Sequence, residues 1–271
     1  MTIKLLIYFD VHFCLCLYSK EKQKRPMKTL VIIPSRLSAT RLPGKPLFKV
    51  NGLSIISHVF KKAEEANIGE VIVAAEDQEI VDDVKRNGGQ AIITNSYHKT
   101  GTDRIYEALV KFDNSKIDLV MNLQGDEPLM NVDDIKQLNN QMIKNNSDIG
   151  TLASVILDKS LYENKNVVKV TTKESLTNIN FPEAIGFSRK ILDRGKKIYH
   201  HLGIYCYQKE ILKEFVSHKQ SFDEQRYKLE QLRALENNIK INVALAKTSP
   251  IGVDTKEDFL AIKKIMEYKS K

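Results

Sequence analysis

Four short apolar runs, each followed by a segment of helical spacing, constrain this chain more than any other feature of it. "TLVIIP" (29–34), "EVIVAA" (70–75), "QAIIT" (90–94) and "DLVMNLQ" (118–124) carry too few polar residues to leave one face in water. Such runs belong to strands covered on both sides. Between them, "SIISHVFKKAEEAN" sets Ile55, Val59 and Ala63 on one helical face, with Ser54 placed to cap it. "DQEIVDDVKRNGG" reads as a helix closed by glycines, and "TGTDRIYEALVKF" as a helix with Thr102 or Asp103 near its start. Another helix is expected from near Val132. This β-α-β-α-β-α-β order predicts an α/β fold, a mostly parallel central sheet with helices on both faces. Ligands of such sheets bind outside the carboxyl ends of the strands. Further along, "TLASVIL", "NVVKV", "HHLGIYCY" and "IKINVAL" read as strands. "QRYKLEQLRALEN" reads as helical and "TKEDFLAIKKIMEY" as a closing helix.

The first strand runs into an unusual loop, "SRLSATRLPGKPL". It places Arg36, Arg41 and Lys45 within ten residues, with Gly44 permitting close backbone approach and Pro43 and Pro46 limiting its freedom. It is no Walker A loop, which needs GxxxxGK[ST] leading into a helix, and it is no GxGxxG turn. Three fixed positive charges at the carboxyl end of a buried strand suit a polyphosphate. A polyphosphate normally arrives with Mg²⁺, held by one or two carboxylates, phosphate oxygens and water. "NLQGDEP" supplies Asp126 after the fourth strand, and "GVDT" supplies Asp254 before the last helix. Each has a plain alternative: a turn residue for Asp126, a helix N-cap for Asp254.

Charge and cysteines narrow the classes. The formal net charge is +8, but the first 26 residues hold Lys4, Lys20, Lys22, Lys24 and Arg25 against Asp10 and Glu21, and so supply +3 of it. The remaining lysines are scattered, there is no tryptophan, and no aromatic residues interleave with basic ones as in a base-stacking platform, so no nucleic-acid partner is expected. The cysteines Cys14, Cys16 and Cys206 lack framework or zinc spacing and fit a reducing cytoplasm. The apolar run in residues 1–26 is broken by Asp10 and His12, which makes a poor membrane span, and no small-residue cleavage site follows. Met27 precedes the first clean strand. The expected organisation is therefore an extension of residues 1–26 outside the fold, arising from an upstream start codon, and one domain over residues 27–271.

Taken together, "VIIPSRLSATRLPGKPL", "HKTGTDR", "NLQGDEP", "HLGIYCY", "LEQLR" and "GVDT" resemble, in order, the cytidylyltransferases that activate 3-deoxy-D-manno-octulosonic acid (Kdo). The likeness covers essentially all of residues 27–271 and none of 1–26. It implies a Rossmann-like nucleotidyltransferase with a smaller sugar-binding and dimerisation lobe. It also implies CTP and Kdo as substrates, Mg²⁺, CMP-Kdo and pyrophosphate as products, a homodimer, and a place in lipopolysaccharide synthesis in the cytoplasm. By the same resemblance Arg36, Arg41 and Lys45 hold the CTP phosphates together with Thr100, which replaces the serine usual in "SGTDR". Gln124 contacts the sugar acid, Asp126 and Asp254 ligate Mg²⁺, and Arg189, His201, Tyr205, Glu230 and Gln231 surround the sugar. Lys45, Arg41 and Asp126 carry the catalytic charge. The family pattern "SRSPIP" reads "SRKILD" here, which leaves a related acid sugar, an 8-amino variant of Kdo or a nonulosonate, as the alternative substrate. Two rivals are a basic nucleic-acid-binding module and a sugar-1-phosphate nucleotidyltransferase.

Overall fold

A computed structural model of the protein describes residues 25–38, 41–158, 160–190 and 197–269. Its centre is strand β1 (Thr29–Ser35), whose residues 30–33 are fully buried. β1 pairs in parallel with β4 (Gly69–Ala75) on one side and with β6 (Leu119–Asn122) on the other. β5 (Ala91–Ile93) continues the sheet beyond β4. On the far side of β6 lie β10 (Ile198–Gln208), β7 (Ile149–Ser154) and β11 (Ile241–Leu245), giving the order β11-β7-β10-β6-β1-β4-β5. β10 runs antiparallel to both neighbours, and β8 (Lys169–Thr172) and β9 (Ala184–Ser188) extend from it as an antiparallel pair. The two residues of β2 (Lys49–Val50) and of β3 (Leu53–Ser54) form a separate hairpin.

Side chains alternate along β1, so one strand seeds two apolar layers. Val31 and Ile33 meet α1 (Ile55–Ala66), α2 (Gln78–Arg86) and α4 (Val132–Asn145). Leu30 and Ile32 meet α3 (Gly101–Lys111) and α6 (Lys209–Ser217); the short α5 (Ser160–Glu163) joins neither layer. The expected faces hold: Ile55, Val59 and Ala63 are buried, and Ser54 caps α1 by accepting from Ser57 N–H. At α3 the cap is Thr100, whose hydroxyl accepts from Asp103 N–H at 3.2 Å.

One expected helix is corrected. "QRYKLEQLRALEN" is broken into α7 (Phe222–Tyr227) and α8 (Leu232–Glu236). Lys228 adopts the left-handed region (φ 55°), which costs a non-glycine residue about 1 kcal/mol or more. The break drops Leu229 into the second apolar layer and lets Arg233 reach back to Glu224 with hydrogen bonds of 2.8 and 2.6 Å. Tertiary burial overrides helix propensity here.

The closing helix α9 (Lys256–Lys269) packs Ile262 with Val253, Ile55 and Val50 in a third small cluster. The ring of Phe259 meets that of Phe48 edge-on at 5.2 Å. This docking carries the segment before α9 to the carboxyl end of β1. Residues 1–24 and 191–196, the latter including the "ILD" of the altered "SRKILD" stretch, lie outside the described residues. Arg25, at the end of the expected extension, makes a two-pronged 2.8 Å ion pair with Asp118.

Candidate active site

The chain passes from β1 to β4 and β5 on one side, then returns to place β6 on the other. The sheet's switch point therefore lies between β1 and β6, where an α/β sheet opens a crevice. The loops leaving both strands meet there. Gly125 makes this possible: a Cβ on it would sit 2.8 Å from the Pro34 carbonyl oxygen. The charged loop after β1 is held by backbone contacts. Leu37 N–H donates to Asp77 Oδ2 at 2.7 Å, and Gly44 N–H to the Leu37 carbonyl at 3.0 Å. Gly44 itself takes the left-handed conformation (φ 74°) that starts the short turn over Lys45–Leu47.

The crevice is a cleft of about 390 Å³ whose wall includes Arg36, Arg41, Lys45, Thr100, Gln124, Asp126 and Asp254. Seven residues expected at the site from distant stretches of sequence are thus brought together. Lys45 is the hub. Its ammonium donates to Asp126 Oδ2 at 2.5 Å, to the Val253 carbonyl at 2.8 Å and to Asp254 Oδ1 at 3.4 Å. Arg41 pairs with the other oxygen of Asp254 at 2.9 Å. Asp254 does not cap α9. Thr255 does, accepting from Asp258 N–H at 3.2 Å while Asp258 accepts from Thr255 N–H at 2.9 Å. That reciprocal cap leaves Asp254 to face the cleft. Val253, wholly buried, anchors it, and its N–H donates to the Asp126 carbonyl at 2.8 Å.

Among the described residues no group of three or more His, Cys, Asp or Glu forms a metal cage. Two carboxylates converging on one point from separate loops form a hard-oxygen pair instead. Such a pair suits a cation that takes its other ligands from phosphate and water. Beside them, burial first, then the charges of Asp126 and Asp254, pushes the Glu127 carboxyl up to about 8, against the pull of Lys45.

Behind Gln124 lies a second, inner cavity of about 120 Å³, sharing Pro34, Gly101 and Gln124 with the cleft. Tyr205, Glu230 and Gln231 line it, as do Thr102, Asn122, Tyr207 and Phe215. Gln124 Nε2 donates to the Gly203 carbonyl at 2.8 Å, which turns its amide oxygen away from that strand. Burial raises the Glu230 carboxyl above its usual range, against the pull of the Thr102 and Thr100 hydroxyls and of Arg233. Burial likewise carries the Tyr205 phenol well above its ordinary value, aided by Tyr207 and Glu230.

Two expected residues line neither space. His201 is buried beside Tyr205, its ring 5.4 Å from the tyrosine ring, with Nε2 3.0 Å from Thr151 Oγ1. The Thr151 hydroxyl donates to the Ile204 carbonyl at 2.7 Å, so His201 Nε2 carries the proton and donates. Burial, and then the neighbouring His200, holds His201 down at about 3, so it is neutral. Arg189 donates to the carbonyls of Lys165 and Asn166 at 3.3 and 3.2 Å.

Sequence reading missed several wall residues. His98, Lys99 and Arg104 line the cleft. His98 Nε2 contacts Glu107. Although burial raises it, hydrogen bonds from Lys111, His98 and Asn95 hold Glu107 at about 2. Arg104, buried on α3, bonds Thr94 Oγ1 at 2.6 Å and Glu76 Oε2 at 2.5 Å, fixing the loop after β5. An arginine among the inward residues of α3 was the available signal.

Comparison with known proteins agrees with this geometry. A family model described as cytidylyltransferase matches residues 30–241. The 3-deoxy-manno-octulosonate cytidylyltransferase of Nitrobacter winogradskyi is 41% identical over 241 residues, 88% of this chain and 94% of the relative. The protein of the same name from Rhodopseudomonas palustris is 42% identical over 243 residues, 89% and 98% of the two chains. A solved CMP:2-keto-3-deoxy-manno-octonic acid synthetase in complex with CTP matches with a TM-score of 0.80 and 31% identity, covering 89% of this chain and 99% of that one.

Proposed function

This chain belongs to the cytidylyltransferase family, among the 3-deoxy-manno-octulosonate cytidylyltransferases, and from that premise we propose that it transfers CMP from CTP to Kdo. The anomeric hydroxyl of Kdo attacks the α-phosphorus of CTP. The new bond is oxygen to phosphorus, the bond to the β-phosphate breaks, pyrophosphate leaves in line, and the hydroxyl proton passes to solvent. The observation that carries this reading is Lys45, set between Asp126 and Asp254 in a cleft edged by Arg36 and Arg41.

Transfer of this type depends mainly on positioning and on neutralising charge. Arg36, Arg41 and Lys45 supply three cations along the wall where the triphosphate would lie, and they offset the charge that grows on the departing pyrophosphate. Asp126 and Asp254 would hold Mg²⁺, which when bound supplies Lewis-acid polarisation of the phosphoryl oxygens. Gln124 stands between cleft and inner cavity, where it can orient the acid sugar as its hydroxyl approaches. Glu230, Gln231 and Tyr205 present hydrogen-bonding groups to the rest of the sugar. Arg189 and His201 serve the sugar side indirectly, Arg189 by holding the 165–166 backbone and His201 by packing against Tyr205.

A role in lipopolysaccharide synthesis, in the cytoplasm and as a homodimer, completes the proposal. No helix among the described residues is long and apolar enough to cross a membrane. The "SRKILD" departure favours one second reading, a related acid sugar as acceptor. The test is a panel of CTP and UTP against Kdo, 8-amino-Kdo, a nonulosonate and sugar 1-phosphates, with products identified by mass spectrometry. CMP-Kdo as the dominant product supports the proposal. Conversion only of another acid sugar moves the substrate, and conversion only of sugar phosphates overturns the reading.

A further inference from the structure

One polar atom in the wall of the inner cavity has nothing to bond. Asn122 Oδ1 is buried without a hydrogen-bond partner, whereas Glu230 Oε1 beside it faces the Arg233 guanidinium at 3.8 Å, and both side chains line the 120 Å³ space. Asn122 is 4% exposed and ends β6, where alternation turns it to the same face as Val120. Its strand is otherwise Leu119, Val120 and Met121, all fully buried. A buried amide oxygen left unpaired is costly, and an apolar side chain of similar size would avoid that cost. The residue is thus poorly explained by packing.

The chemistry of the missing partner follows from the wall. The unmet Asn122 oxygen is an acceptor, so what completes it must bring a hydrogen-bond donor. The cavity adjoins the charged cleft across Pro34, Gly101 and Gln124, so the occupant is an extension of a molecule whose reacting end lies by Asp126. The rings of Tyr205, Tyr207 and Phe215 offer faces to C–H groups beside that donor. A hydroxylated carbon chain has this alternation of C–H and O–H.

We infer that Asn122 is a specificity-determining residue for the acid sugar, its Oδ1 accepting a hydrogen bond from one hydroxyl of the sugar's polyol portion inside the inner cavity, beside Glu230. This rests on the acid-sugar reading above. It makes Asn122 a discriminator between hydroxylated acids and analogues that lack the donor.

The test measures kcat and KM for Kdo and for its monodeoxy derivatives on wild type and on Asn122→Leu, with melting temperatures alongside. The expected result is a roughly tenfold rise in KM for Kdo in the variant, with KM for CTP unchanged. One monodeoxy derivative should lose about the same factor on wild type, and on that derivative the two proteins should be equally efficient. That convergence is a readout that a merely structural role would not produce. Unchanged kcat/KM for Kdo in folded Asn122→Leu overturns the inference, as does an equal rise in both KM values. If Asn122→Leu does not fold, the derivatives on wild type decide: a monodeoxy derivative that loses about tenfold supports the inference, and indifference to all of them overturns it. Wild type that binds CTP but converts no acid sugar overturns the proposed function itself, and this inference with it.

Discussion

The outer cleft and the inner cavity adjoin, yet they are built on opposite principles. The cleft is made of charges on loops: Arg41 and Asp254 have side chains 61% and 42% exposed, and Arg36 is exposed too. Its charges compensate one another, with Lys45 bridging both aspartates. The cavity is made of polar groups held inside packed layers, several displaced from their ordinary pKa by burial, with the Asn122 amide oxygen unmet. The first suits a mobile polyanion that arrives with its own counter-cation. The second suits a neutral, hydroxylated group read atom by atom. Under the proposed function, reaction chemistry falls to the cleft and substrate choice to the cavity.

Four changes would break or sharpen that division. Lys45→Met should give the largest effect, a loss of kcat on the order of 10²–10³, since it removes a preorganised cation from the departing charge. Steady-state kinetics at saturating Kdo and CTP checks it, and a comparable loss only in KM for Kdo would break the division. Next, Arg233→Met should destabilise the fold by roughly 3–5 kcal/mol in denaturant unfolding, because Glu224 is left buried without its partner. Both residues are nearly inaccessible, at 1% and 3%. Glu230→Gln should raise KM for Kdo about tenfold and leave KM for CTP alone, the value of a hydrogen bond to a charged acceptor.

The fourth change concerns pH. His201 titrates near 3 in the folded chain and near 6.5 in an unfolded one. Between these values the unfolded state holds the extra proton, so stability rises with pH from about 3 to about 6.5 and is lost as pH falls through that window. The slope from this one group is at most about 1.4 kcal/mol per pH unit. Melting temperatures of wild type and His201→Gln between pH 4 and 7 should converge toward the acid end, because the variant lacks this loss.

The same contrast explains what could be read from the sequence. β1, β4 and β6 were legible because apolar runs without alternation admit few structures. The positively charged loop was legible because Arg36, Arg41 and Lys45 fall within one short stretch, and Asp126 and Asp254 because each opens a loop next to a buried strand or the last helix. That the N-cap role belongs to Thr255 instead of Asp254 needed coordinates, since either residue could cap α9. The inner cavity was less legible. It depends on the break at Lys228, which no glycine or proline announces, and which seats Leu229 while turning Glu230 and Gln231 to the cavity. β9 was missed because "AIGFS" is short and carries a glycine at its centre. Asn122 had a signal, one amide in the apolar run "LVMNL", but only the unmet oxygen beside a cavity gives it meaning.

The central claim is that the charged cleft activates CTP toward an acid sugar. Pyrophosphate release from CTP and Mg²⁺, with and without Kdo, on wild type and on Asp126→Ala, tests it most directly. The account expects release from wild type only when Kdo is present, and its collapse in Asp126→Ala with the fold intact. Release that is indifferent to any acid sugar, or that survives the loss of Asp126, would contradict it.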